Sequence, residues 1–190
     1  MYNLYFRNAV LKRLIIRFSL LLIILYPIGG LMADEKENLI YLEVKYGRIT
    51  IEARPDLAPN HVKHIKELVS EGFYDNIVFH RVIDGFMAQT GDPKGDGTGG
   101  SDKPDLKAEF TNEKHVRGTV SMARAQNPDS ANSQFFICFT DAPHLDGQYT
   151  VWGKVIEGME YIDQIKKGDG PNGMVSNPDK IIKMQLAKDI

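Results

Sequence analysis

The chain has 190 residues, 43% of them apolar and 25% charged, with a formal net charge of −2. That length can bury the core of one domain, and that charge excludes the strongly basic field of a nucleic-acid or anionic-membrane binder. The lone cysteine, Cys138, excludes an internal disulfide.

The N-terminus reads as an export signal. Arg7, Lys12, Arg13 and Arg17 form a basic segment with no acid before Asp34. Residues 18–26, FSLLLIILY, are a short apolar run that Pro27, Gly29 and Gly30 break. Leu31-Met32-Ala33 then offers a small-residue cleavage site. A spanning helix wants about 20 apolar residues, and here the run ends at Ala33 with a proline and two glycines inside it. The expectation is a signal peptide over 1–33 and a domain over 34–190, with an uncleaved membrane anchor as the alternative. No cysteine follows the run, so a lipoprotein anchor is not expected there.

Residues 38–52, NLIYLEVKYGRITIE, read as two strands joined at Tyr46-Gly47. Ile40, Leu42 and Val44 alternate with Tyr41, Glu43 and Lys45, and Ile49 and Ile51 continue the apolar face. Residues 59–71 read as a helix. Pro59 suits its first turn, Val62, Ile65, Leu68 and Val69 share a stripe, and Gly72 is a natural stop. His61 and His64 could pair on a metal, but no third ligand is near in sequence, so a solvated helix face is expected.

Residues 79–92, FHRVIDGFMAQTGD, carry the strongest signal. A strand over 79–82 and another after Gly85 set Arg81 among Phe79, Val82, Ile83, Phe86 and Met87, with Gln89 following. A permanently charged guanidinium on a dry surface is costly without a partner or a task. Two readings stand at this point: an arginine snorkelling off a buried strand, or a functional donor. His80, beside it on the strand, should face the other way.

Residues 91–105 are rich in Gly, Asp, Pro and Lys and read as a long surface loop. Within it Gly95–Gly100, GDGTGG, formally matches a dinucleotide fingerprint. No helix opens after it, and Asp92, Asp96 and Asp102 would repel phosphate, so it reads as a mobile or ligand-flanking loop. The acids do not match a calcium loop either. Short strands recur at 119–122, 134–139 and 150–155. A second helix over 159–167 carries Met159, Ile162 and Ile165 on one face, and a last strand covers 180–188. Cys138, inside QFFICF, reads as inert core. Ser133 lacks a nucleophile elbow, and His115 suggests no role. Many short strands with two distant helices predict a mainly β fold: a closed antiparallel barrel with helices over its ends.

Three phrases then combine: FHRVIDGFMAQTGD; GTVSMARAQNPDSANSQFFI from Gly118; and HLDGQYTVWGKVIEGME from His144. In this order, from about Leu39 to Leu186, the chain resembles the cyclophilin family of peptidyl-prolyl cis-trans isomerases, in the compact form of its bacterial members. The resemblance implies an eight-stranded barrel with two capping helices. It implies Arg81 as the catalytic arginine, with Gln89 beside it. Phe86, Met87, Phe136 and Leu145 would form the proline-ring pocket. Ala123 and Arg124 would contact the residues before proline, and His144 and Tyr149 would complete the rim. No cofactor or metal is implied. The expected partners are proline-containing peptides and unfolded clients, the expected state is a monomer, and the signal peptide places the domain in the periplasm.

Two positions depart from most eukaryotic relatives, which have Trp where this chain has His144 and His where it has Tyr149. The Trp goes with tight cyclosporin binding, so weak cyclosporin binding is expected. Arg124, a flexible cation at the rim, would favour acidic residues in substrates. The competing reading is a proline-peptide binding module or holdase that keeps the fold without the rate.

Overall fold

The structure is a computed structural model and describes residues 36–190; the export-signal reading of 1–33 lies outside them. The described residues form eight strands: β1 (Leu39–Val44), β2 (Gly47–Ala53), β3 (Arg81–Ile83), β4 (Met87–Thr90), β5 (Thr119–Met122), β6 (Phe135–Cys138), β7 (Val151–Glu157) and β8 (Lys183–Leu186). Helix α1 spans Pro59–Ser70 and helix α2 spans Met159–Asp163. Every ladder is antiparallel, in the order β3-β4-β6-β5-β7-β2-β1-β8.

The sheet curls but does not close, which corrects the expected closed barrel. Strands β3 and β8 are its margins and share no ladder. Two isolated bridges, Val78–Lys180 and Arg81–Met174, join the β3 side to the segment leading into β8, with backbone bonds that include Phe79 N–H to the Asp179 carbonyl at 2.8 Å. The chain explains why the pairing is interrupted and forms no ladder. Asn76 and Asn177 take left-handed φ of 68° and 51°, and Pro178 has no N–H to donate.

The hairpin of β1 and β2 turns through Lys45 and Tyr46, one residue before the expected Tyr46-Gly47 junction, with Val44 opposite Gly47. The second helix is shorter than expected. The N–H of Lys166 donates to the Asp179 carboxylate at 3.0 Å instead of continuing the helix. The last strand is shorter too, because Ile181 bonds the 76–77 segment through both its N–H and its carbonyl.

Helix α1 starts as predicted, but its histidines do not face solvent: His61 and His64 are both buried. The reason lies far along the chain. Glu109 accepts from the backbone N–H groups of Asn60 and His61, from Asn60 Nδ2, and from His61 Nδ1 at 2.6 Å. One carboxylate thus satisfies the helix's first orphan donors and the Nδ1 side of the buried His61 ring together.

The concave side of the sheet packs against both helices around Ile40, Ile51, Ile65, Leu68, Phe135, Ile137, Trp152 and Ile162. A second, smaller apolar cluster lies on the other face: Met87, Phe136, Cys138, Ala142 and Leu145, flanked by Ile83, Phe86, Ala123 and Tyr149. Strand β6 belongs to both and is buried at all four positions. Cys138 is fully buried, and burial pushes its thiol up to about 12, which fits inert packing.

Candidate active site

Strand register assembles the site. Arg81 pairs with Gln89 across β3–β4, Gln89 with Phe136 across β4–β6, and Phe136 with Ser121 across β5–β6. Directly opposed residues present side chains to the same face. One row across four strands therefore holds a cation, an amide, a phenyl ring and a hydroxyl. The next row on that face brings Ile83, Met87 and Cys138 together.

Arg81 is half-buried, and burial lowers its pKa from the ordinary arginine value; a guanidinium nevertheless keeps its charge at neutral pH. Its Nε donates to the Asn172 carbonyl at 2.9 Å and Nη1 to Gln89 Oε1 at 3.1 Å. Gln89 Nε2 donates to Gln134 Oε1 at 2.9 Å, and Gln134 Nε2 reaches the carbonyls of Gly97 and Gly99. Two bonds fix the plane of the guanidinium. Among the described residues no hydrogen bond engages Nη2.

The loop that supplies those carbonyls is organised, not loose. The buried Asp92 carboxylate accepts from the N–H groups of Lys94, Asp96 and Gly97. This accounts for the failed dinucleotide motif: an internal carboxylate already uses the donors that a phosphate would need. At the loop's root Gly91 has φ of 88°, and a Cβ there would collide with the Ser133 carbonyl. Ser133 Oγ donates back to the Gly91 carbonyl at 2.7 Å, a structural role.

Beside Arg81 lies a cleft of about 400 Å³ lined by Phe86, Met87, Gln89, Ala123, Arg124, Phe136, Leu145 and Tyr149. Of the ten residues picked from sequence, nine border it. The tenth, His144, stands at its edge with its ring 5.3 Å from that of Phe86. Phe136 and Tyr149 meet edge to face at 5.9 Å. The floor is apolar and the rim polar, a combination suited to a small ring flanked by peptide groups.

Arg124 is not the free cation expected. It donates to the carbonyls of Ala125, Gln126 and Gln148, and its guanidinium lies 4.5 Å from the Tyr149 ring centre. It ties the loop after β5 to the segment before β7. With its donors so engaged, the bias toward acidic substrates has no structural support.

Sequence reading missed several neighbours. Gln134 was legible, since it precedes Phe136 by two residues and so shares its face. Asn172 was not, because it acts through a backbone carbonyl in a remote loop. Met174, Asp96 and Gly97 also line the cleft, and a second cleft of about 440 Å³ adjoins it beyond Arg124, bordered by Thr98, Ser101, Asn132 and Gln134.

Comparison with known proteins agrees with this architecture. The sequence model for the family described as "Cyclophilin type peptidyl-prolyl cis-trans isomerase/CLD" matches residues 39–186. A "Probable peptidyl-prolyl cis-trans isomerase" of Brucella abortus is 58% identical over 169 residues, covering 83% of this chain and 86% of that protein. A peptidyl-prolyl cis-trans isomerase of Helicobacter pylori is 45% identical over 151 residues, covering 76% and 92%. Among solved structures, a Cryptosporidium parvum cyclophilin type isomerase in the presence of the dipeptide Ala-Pro superposes with a TM-score of 0.72 at 29% identity, covering 78% of this chain and 98% of that one. Cyclophilin AquaCyp293 from Hirschia baltica gives 0.73 at 26% identity, covering 88% and 83%.

Proposed function

The chain belongs to the cyclophilin-type peptidyl-prolyl cis-trans isomerases, and from that premise we propose that Arg81 accelerates the reaction by donating to the prolyl nitrogen of a twisted amide. The observation that carries this reading is the anchored guanidinium with an unengaged Nη2 beside an apolar cleft. Support for the substrate class comes from the neighbouring structure obtained with Ala-Pro.

An X-Pro bond isomerises over a barrier of roughly 18–20 kcal/mol, in tens to hundreds of seconds, because rotation breaks amide resonance. In the twisted state the prolyl nitrogen becomes pyramidal and gains a lone pair. A donor aimed at that lone pair binds the twisted state better than either planar one, which is catalysis by differential binding. Arg81 performs this without releasing a proton. Millisecond turnover needs roughly 10⁴-fold, or about 5–6 kcal/mol. One preorganised donor in a dry site supplies about 3–4 kcal/mol. Phe86, Met87, Phe136 and Leu145 add to this by fixing the ring, and groups near Ala123 and Gln89 by holding the flanking peptide. No nucleophile or cofactor enters the scheme.

A protease-coupled assay on a short X-Pro peptide tests the proposal. Wild type should accelerate isomerisation, and Arg81→Ala should lower kcat/KM by about 10²–10³-fold. An undiminished mutant would remove Arg81 from this role; a wild type without acceleration would leave a peptide-binding module.

We further propose that the domain acts as a monomer on unfolded exported proteins in the periplasm, after cleavage following Ala33. Mass spectrometry of the exported protein should find Asp34 as its first residue; an intact N-terminus would favour the membrane anchor. Cyclosporin should bind weakly, because His144 offers less apolar area than an indole, and a fluorescence titration showing nanomolar affinity would contradict this.

A further inference from the structure

Behind the pocket wall lies a buried polar group that the mechanism above does not use. His115 is 1% exposed. Its Nδ1 lies 3.2 Å from Asp146 Oδ1 and its Nε2 3.0 Å from Ser121 Oγ, which in turn lies 3.0 Å from the Thr150 carbonyl. The His115 N–H also donates to Asp146, and its carbonyl accepts from Ala142 N–H. The ring runs nearly parallel to that of Phe136, 19° between planes with centres 6.2 Å apart. One imidazole therefore joins three parts of the pocket: the 142–146 turn that carries His144 and Leu145, strand β5 leading to Ala123, and Phe136 itself.

We propose that His115 is a positioning residue, holding the proline-ring pocket in its working shape through Asp146, Ser121 and Phe136, and that its protonation disturbs that shape. The inference rests on the assignment of the pocket made above.

Proton counting shows the sensitivity. The three contacts Asp146–His115, His115–Ser121 and Ser121–Thr150 need three protons. A neutral imidazole and one hydroxyl supply two. With Nδ1–H given to Asp146, the Ser121 hydroxyl must choose between Nε2 and the Thr150 carbonyl. A third proton, on Nε2, fixes it on the carbonyl and completes all three contacts, but sets a positive charge in a buried site against the Phe136 ring. Ser121 stands directly opposite Phe136 in the β5–β6 ladder, so the change is felt at the pocket wall.

Charge on His115 is opposed by its surroundings. Asp146 favours it, but Asp146 already accepts from Lys114 Nζ at 3.1 Å, and His144 on the same turn is a second cation when protonated. From β5 and β6 the ring meets the neutral Ser121 and Phe136, and beyond Ser121 lies the neutral Thr150 carbonyl, just before β7. Burial accordingly lowers the imidazole's pKa despite Asp146.

The test follows His115 and Phe136 ring resonances by NMR in the wild-type protein as pH falls, alongside the isomerase assay. Both rings should shift with one midpoint below the ordinary imidazole value of about 6.5, and kcat/KM should fall through it. His115→Gln should lose this acid limb and raise the peptide KM about tenfold with a smaller change in kcat, whereas His144→Gln should keep the limb. A Phe136 ring indifferent to His115 titration, or an acid limb that survives in His115→Gln, would overturn the proposal. The NMR arm needs no catalysis, so it stays decisive if Arg81 fails in its assigned role or if His115→Gln does not fold.

Discussion

The two faces of strand β6 differ in what they do with the same kind of residue. Phe135 and Ile137 point into the main core, where Phe135 meets Trp152 at 90° and Tyr74 at 73°, each with centres 5.5 Å apart. Phe136 and Cys138 point the other way, into a cluster bordered by Arg81, Gln89 and an open cleft. Four consecutive buried residues thus serve two ends: one side stabilises the fold and the other shapes a site. The contrast shows how a sheet can hold a rigid donor. Arg81 gains its position from a ladder whose opposite face packs into the main core through Val82, Ala88 and Ile137.

Paired alanine substitutions separate the faces most strongly. Phe135→Ala should cost about 3–5 kcal/mol of stability by leaving a closed cavity, while the protein that remains folded keeps most of its activity. Phe136→Ala opens onto the cleft, where water can refill the space, so it should cost about half as much stability and far more kcat/KM. Denaturant unfolding and the peptide assay on both variants check this. Equal stability losses with equal activity losses would erase the distinction between faces.

A smaller effect tests the closed side at the start of α1. The Glu109 carboxyl is partly buried, which opposes ionisation, but hydrogen bonds from His61 and Asn60 hold it below the ordinary glutamate value. A depressed acid stabilises fully above its unfolded pKa, about 4.3, and loses that contribution as pH falls through the lower folded value. Glu109→Gln should therefore cost about 1–2 kcal/mol at neutral pH, in the range of a lost helix cap. It should also flatten stability against pH on the acid side. Thermal melts from neutral pH down to about pH 3 give the readout.

The site was legible because FHRVIDGFMAQTGD, GTVSMARAQNPDSANSQFFI and HLDGQYTVWG carry the family resemblance that implied its residues, and period-2 alternation accounts for how they come together. Alternation fixes which residues of FHRVIDGFMAQTGD and QFFI share a face, and hence that Arg81, Gln89 and Phe136 can form a row. The missed parts have physical reasons. His61 and His64 looked like solvent-facing residues because the carboxylate that pairs with His61 is 48 positions away. His115 has no neighbours in sequence that mark it, and its partners Ser121 and Asp146 come from two other segments. Asn172 contributes only a carbonyl, which no side-chain pattern reports. The expected barrel closure failed at Asn177-Pro178, where backbone conformation overrides the tendency of a curled sheet to join its edges.

The central claim is that Arg81 binds the twisted amide better than the planar ones. Its most direct test is NMR exchange spectroscopy on a saturating X-Pro peptide, measuring cis–trans interconversion on the protein and peptide affinity in the same sample. Arg81→Ala should slow the bound exchange by about 10²–10³-fold, leave peptide affinity within about threefold of wild type and shift Tm by no more than about 2 °C. Bound exchange at the wild-type rate, or a loss traced wholly to weaker peptide binding, would contradict it.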